Sequence, residues 1–163
     1  MATHKKSEKE LTEDTAWAKI LRLLTAREHS TESLRQRLLR DGYDEAVVET
    51  VIDKGIRTHI IDNNRYGEAL VRTRIASGKG LEPVKDELAE LGIDIDSLES
   101  YQDYVNSSDE GEIERAYELL CRRPPRSKNL REGAFRKLVT NGFSTSVAST
   151  VAKRWSEQKT SGE

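Results

Sequence analysis

The chain has 163 residues, of which 34% are charged, 35% hydrophobic and 6% aromatic. This length suits one domain or an array of small units, and the apolar share predicts a modest core. The net charge of −2 does not mark a nucleic-acid-binding protein, and a single cysteine excludes an intramolecular disulfide. No apolar run approaches the ~20 residues of a membrane span, and the charged start lacks a secretory apolar stretch. We therefore expect a cytoplasmic protein without membrane association.

Apolar residues recur at the three- and four-residue spacing of helices, as in Trp17, Ile20, Leu21 and Leu24. No alternation is long enough to predict a strand, so the fold class is predicted to be all-α. In chain order, the helices are predicted at residues 15–28, 31–41, 44–57, 63–77, 82–91, 95–105, 110–122, 129–141 and 145–158.

An internal repeat with a period of 50 residues organises these helices. A leucine precedes a glycine by four positions in each copy, and an apolar residue follows that glycine. We predict that the glycine ends the second helix of each copy in a left-handed conformation and that Asp44, Asp94 and Ser144 cap the third helix. The repeated positions are Leu38, Leu88 and Leu138 and Gly42, Gly92 and Gly142.

The repeat predicts three tandem three-helix units of about 50 residues. Their ranges are 15–61, 62–107 and 108–158, between a flexible N-terminal tail at 1–14 and a C-terminal tail at 159–163. Because a helix of ~12 residues is marginal alone, neighbouring units must share apolar faces. We expect an elongated, curved array, present as a monomer.

Charge is distributed unevenly along the chain. Residues 82–118 contain 13 acidic and 2 basic residues, whereas residues 119–137 contain 7 basic and 1 acidic residue. Acidic and basic segments therefore follow one another under a total charge near zero.

Arginines at one equivalent position of each first helix, Arg22, Arg72 and Arg122, predict a basic row along the array. Arginine suits phosphate and carboxylate recognition because its guanidinium donates two parallel hydrogen bonds. The alternative is that these residues are solvated helix faces with ordinary surface ion pairs. Further members of the row and of a second basic run are Arg74, Arg126, Lys128, Arg35, Arg136 and Lys137.

Other candidates for chemistry are weak. Cys121 aligns with Leu21 and Val71 and is predicted to be a small core residue, and His29 and His59 lack partners at metal-ligand spacing. The sequence Gly78-Lys79-Gly80 lacks the spacing of a phosphate-binding loop and is predicted to be a bend. No nucleophile and base stand at catalytic spacing. We expect no enzymatic activity, no cofactor and no metal.

Four motifs in chain order carry a resemblance to the RecX family of recombinase regulators. Residues 60–67 (IIDNNRYG) resemble the family's Leu-Asp-Asp-x-Arg-Phe-Ala signature, with Asn63 in place of the second Asp and Gly67 in place of Ala. The other three motifs are residues 27–38 (REHSTESLRQRL), 78–93 (GKGLEPVKDELAELGI) and 136–143 (RKLVTNGF). The resemblance covers about residues 15–157.

This resemblance implies a non-enzymatic modulator, mainly an inhibitor, of the RecA recombinase in DNA repair, homologous recombination and the SOS response. Such a protein binds in the groove of the RecA–single-stranded DNA filament and limits filament extension, ATPase, strand-exchange and co-protease activities. The partners it implies are the RecA filament and single-stranded DNA. The residues alone leave two alternatives open, a stand-alone nucleic-acid-binding module and a helical scaffold for another protein.

Overall fold

The computed structural model describes residues 10–106 and 109–162, and within them it contains nine α-helices, one 3-10 turn and no strand. The predicted all-α fold class is therefore confirmed. Residues 1–9 of the predicted N-terminal tail and residue 163 lie outside the described residues. So do residues 107 and 108, where the second predicted unit meets the third.

The helices match the predicted positions in number and order, apart from one interruption. They are α1 (Glu13–Ala26), α2 (Thr31–Arg40), α3 (Glu45–Arg57), α4 (Asn63–Ala76), α5 (Glu82–Glu90), α6 (Glu99–Asn106), α7 (Asp109–Arg122), α8 (Leu130–Thr140) and α9 (Thr145–Ser161).

The chain divides into two compact units, residues 1–66 and 67–163. In the first unit, Ile20, Leu34, Leu38 and Val48 lie in one fully buried cluster that joins α1, α2 and α3. The first turn of α4 also belongs to this unit. There the Asn63 side chain accepts a hydrogen bond from the backbone N–H of Thr31 at 2.9 Å and so fixes the end of the α3–α4 connection.

The second unit contains two separate apolar clusters. One packs Val71 of α4 with Val84 and Leu88 of α5 and with Leu98, and the other is built from α7, α8 and α9 around Trp155. Among the described residues, each of the three apolar clusters falls within one predicted unit. The exact division into three units stays a prediction.

The three repeated glycines end α2, α5 and α8 in the same way. Their φ angles are 93°, 71° and 87°, a left-handed region that side chains rarely adopt. At the first of them, Gly42 donates its N–H to Leu39 O at 3.0 Å and Tyr43 donates to Leu38 O at 3.2 Å. The same pair of bonds recurs at Gly92 and Gly142, which is the Schellman motif. The predicted left-handed helix ends are thus confirmed.

Caps explain most of the helix starts. Ser144 accepts from the backbone N–H of Val147 as predicted, whereas Asp44 makes no side-chain cap hydrogen bond. Thr12 and Thr15 form a reciprocal capping box, so α1 begins at Glu13, two residues before the predicted start.

The sixth predicted helix, at residues 95–105, is interrupted. Asp94 caps only a 3-10 turn, Ile95–Ser97, and the backbone of Leu98 is then extended, with ψ 130°. Glu68 of α4 accepts hydrogen bonds from the backbone N–H groups of Glu99 and Ser100 at 2.7 and 3.0 Å. A carboxylate from another helix therefore starts α6, which the local sequence pattern could not predict.

The prediction for Cys121 is wrong, because its side chain is exposed on α7. The neighbouring Leu120 takes the fully buried position instead, as Ile20 does in α1. In the part of the chain that the structure describes, no helix has the length and apolar character to span a membrane.

Candidate functional site

The three arginines of the predicted row are all exposed. Arg22 lies on α1, Arg72 lies on α4, and Arg122 is the last residue of α7. Arg72 also forms an ion pair with Glu68 one turn earlier, at 3.3 Å. Because these guanidinium groups face solvent, they are available to a partner, and their role as contacts stays a prediction.

Arg74 is placed differently from its neighbour Arg72. Its side chain is half-buried, and its guanidinium donates to Gly80 O at 2.8 Å and to Asn141 O at 3.2 Å. Arg74 therefore ties α4 to the loop that follows it and to the C-terminal end of α8. Its guanidinium is therefore engaged in hydrogen bonds within the second unit.

Arg35 is likewise engaged, in the first unit. It forms a bidentate pair with Glu49 of α3, at 2.6 and 3.2 Å, and an ion pair with Glu32 at 2.8 Å. The hydrogen bond to Glu49 raises the pKa of Arg35, and it lowers the pKa of Glu49. Arg35 thus joins α2 to α3.

The remaining predicted contacts lie in the basic segment from α7 to α8. Arg126 and Lys128 are exposed in the loop that joins these helices, and Arg136 is exposed with an ion pair to Glu132 at 3.7 Å. Lys137 is half-buried near the end of α8. The structure therefore separates the predicted residues into exposed cations and cations with internal partners.

Arg115 is a structural residue that the sequence pattern did not reveal. Its guanidinium donates to Lys79 O at 2.6 Å and to Ile75 O at 3.4 Å, and it lies 5.0 Å from the ring centre of Tyr104. Burial and the charge of Glu112 raise the pKa of Tyr104 to about 12, while Arg115 acts in the opposite direction. Since Arg115 follows Ile75 by 40 residues, no local spacing could have indicated the contact.

A cleft of about 370 Å³ lies in the second unit, where the loop after α4 meets the C-terminal ends of α7 and α8. Three cations line it, and no carboxylate does. The lining residues are Ser77, Lys79, Leu119, Arg122, Arg123 and Asn141. Arg122, a member of the predicted row, thus lies in the lining of this cleft.

Metal chemistry has no assembled ligands in the described part of the chain, where no group of three or more His, Cys, Asp and Glu side chains converges. His29 is 4% exposed, and burial followed by the charges of Arg27 and Arg37 lowers its pKa. Its Nδ1 lies 3.5 Å from the hydroxyl oxygen of Ser33. His59 is exposed after α3.

The fold defines a class of all-helical proteins in which short helices pack around small apolar clusters. A sequence model described as RecX, first three-helix domain, matches residues 16–54. A "Regulatory protein RecX" of Leptothrix cholodnii is 31% identical over 136 residues, which are 82% of this chain and 84% of that protein. The chain belongs to the RecX family.

Other relatives agree with this assignment. A "Regulatory protein RecX" of a Mycobacterium species is 34% identical over 71% of this chain, and the chain spans 63% of that protein. The crystal structure of RecX from Lactobacillus salivarius has a TM-score of 0.60 at 22% identity, covering 88% of this chain and 96% of that chain. That structural likeness supports the fold alone.

Proposed function

We propose that this protein is a non-enzymatic regulator of the RecA recombinase. The observation that carries the proposal is the match to a regulatory RecX protein over 82% of this chain. In this proposal, the protein binds as a monomer in the groove of the RecA–single-stranded DNA filament. It limits filament extension, ATPase, strand-exchange and co-protease activities, and it does so in the cytoplasm, where its proposed partner acts.

The charges of the second unit support a filament as the partner. Residues 82–118 are strongly acidic, and residues 119–137 are strongly basic. A filament of protein on single-stranded DNA presents both protein charges and phosphates, so a regulator with both signs can match it in register. Several weak contacts along a repeating filament then add up to useful affinity.

The test is the ATPase of RecA on single-stranded DNA with sub-stoichiometric amounts of this protein added. We expect inhibition, because one bound regulator blocks a filament of many subunits. The same protein unfolded by heat and added at equal concentration is the control. An unchanged ATPase, together with no binding to preformed filaments, would overturn the proposal.

A further inference from the structure

The cleft of the second unit lies where three helices end. Ser77 follows the last residue of α4, Arg122 is the last residue of α7, and Asn141 is the C-terminal cap of α8. Each helix C-terminus is equivalent to roughly −0.5 charge, so about −1.5 charge collects here. Cations are therefore expected near these helix ends. Any cations beyond those that the helix ends require are available to a ligand.

Two arginines outside the lining already donate hydrogen bonds at two of these helix ends, those of α4 and α8. Arg74 donates to the carbonyl of Asn141, and Arg115 donates to the carbonyls of Ile75 and Lys79. The backbone N–H of Gly80 adds a further bond to the Asn141 carbonyl at 3.0 Å. The negative ends of α4 and α8 are therefore satisfied by direct hydrogen bonds.

Lys79, Arg122 and Arg123 remain as a surplus of positive charge. They line one recess, and among the described residues none of them forms an ion pair with a carboxylate. Arg122 also lies close to the loop backbone, since a Cβ at Gly78 would be 3.1 Å from its Nη2 atom. Three cations in one recess without a carboxylate make a site for an anion.

We propose that this cleft binds a phosphate of a single-stranded nucleic-acid backbone. Lys79 approaches from the loop after α4, and Arg122 and Arg123 approach from the end of α7, so that donors surround a tetrahedral anion from two sides. Arg126 and Lys128, exposed in the loop between α7 and α8, supply cations for the next phosphates of a strand.

The lining of the cleft favours a nucleic-acid backbone over an acidic protein surface. A phosphodiester chain is narrow and carries a charge at each nucleotide, so it enters a recess and continues along Arg126 and Lys128. No aromatic side chain lines the cleft, so bases find no stacking platform there. Contact with phosphates alone predicts binding independent of base sequence. This inference rests on the proposed function, in which single-stranded DNA is part of the partner.

The test measures binding of a fluorescent single-stranded oligo-dT to the full chain by anisotropy, without RecA, over a range of salt concentrations. The cleft variant carries Lys79→Gln, Arg122→Gln and Arg123→Gln. The control variant carries Arg27→Gln, Arg57→Gln and Lys153→Gln, which remove the same charges from exposed positions outside the cleft. A second cleft variant, Ser77→Glu, adds a carboxylate to the lining and removes no cation.

We expect the cleft variant to bind on the order of tenfold or more weakly at low salt, with a salt slope shallower by about 2, because three phosphate contacts are lost. Ser77→Glu also weakens binding, and the control keeps the wild-type slope. Wild-type protein that does not bind oligo-dT, or cleft variants that bind it like wild type, would overturn the proposal. A cleft variant that loses RecA binding but keeps oligo-dT binding would assign the cleft to an acidic protein surface and also overturn it. Wild type that binds oligo-dT through the cleft without inhibiting RecA would support the cleft and contradict only the proposed function.

Discussion

The guanidinium of Arg74 donates a hydrogen bond to the backbone carbonyl of Asn141 across 67 positions of sequence, at 3.2 Å. The Nε of the same guanidinium donates to Gly80 O at 2.8 Å, four residues after the end of α4. One side chain thus holds the end of α8 against the α4–α5 loop. Arg74 therefore has a structural role within the second unit.

Arg74→Met keeps most of the apolar stem of the side chain and removes both charge-assisted bonds. We expect a loss of about 1.5–3 kcal/mol in the free energy of unfolding, measured by urea denaturation. Arg72→Met, on the same helix, is the control and should cost less than about 1 kcal/mol, since its ion pair is exposed. Equal losses in the two variants would mean that the bonds of Arg74 to the loop and to α8 contribute nothing net.

Gly142 differs from Gly92 in its surroundings, although both have a positive φ. A Cβ at Gly142 would be 2.9 Å from Pro83 Cδ and 3.0 Å from Gly80 O, whereas a Cβ at Gly92 meets nothing within 4 Å. We expect Gly92→Ala to cost about 1–2 kcal/mol through its backbone conformation. Gly142→Ala should cost a further ~1–3 kcal/mol through crowding, read from urea midpoints. Identical midpoints for the two variants would contradict the close approach of the loop to α8.

Glu68→Gln tests the carboxylate that starts α6. The amide has one oxygen for two backbone donors and lacks the charge that favours a helix N-terminus, so we expect a loss of about 1–2 kcal/mol in the free energy of unfolding at pH 7. Glu118→Gln, at an exposed position on α7, is the control and should change it little. A stability unchanged by Glu68→Gln at neutral pH would show that solvent serves the start of α6 equally well.

The stability difference between wild type and Glu68→Gln should depend on pH. Burial by itself raises the pKa of Glu68, but hydrogen bonds from Ser100 and Glu99 and the charge of Arg72 outweigh it, so the pKa lies below its ordinary 4.5. A lowered folded-state pKa makes the contribution fully present above pH 4.5 and removes it as the pH falls through the folded-state value. Urea titrations in steps from pH 7 to pH 3 should show the two proteins converging. A difference that stays constant over this range would contradict the ionised cap.

The exposed Cys121 should react in the native state with a thiol-specific reagent. We expect a rate of maleimide labelling close to that of the urea-unfolded protein, because no packing needs to open. As the chain has a single cysteine, the label reports on this position alone. If Cys121 reacted with maleimide only after unfolding, the result would contradict its exposed position and support the buried position predicted from the repeat.

The charge-reversed variant Arg22→Glu, Arg72→Glu and Arg122→Glu tests the predicted basic row as a contact surface. We expect it to lose most of its inhibition of the RecA ATPase, while Arg27→Glu, Arg57→Glu and Lys153→Glu, with the same charge change, retain it. Inhibition by the first variant equal to that of wild type would remove the site assignment and leave the proposed function standing.

Structural features that depend on neighbours in the chain could be predicted from the sequence. Gly42, Gly92 and Gly142 take the left-handed conformation at helix ends. In this conformation, backbone N–H groups bond the last carbonyls of the helix within a stretch of six residues. Leu38, Leu88 and Leu138, four positions earlier, are all fully buried, as the apolar periodicity of their helices indicates. Cys121 shows the limit of this reasoning, since alignment with the buried Val71 did not place it in the core.

The sequence by itself determined the all-α fold, the order of its helices and the repeated helix ends, because periodicity and capping act over three to six residues. The tertiary structure decided which cations remain available. Arg74 and Arg115 donate hydrogen bonds to carbonyls distant in sequence. Lys79, Arg122 and Arg123 instead line a recess. All five are basic residues in the sequence, and only the approach of α4, α7 and α8 distinguishes the internal ties from the charges that can meet a ligand.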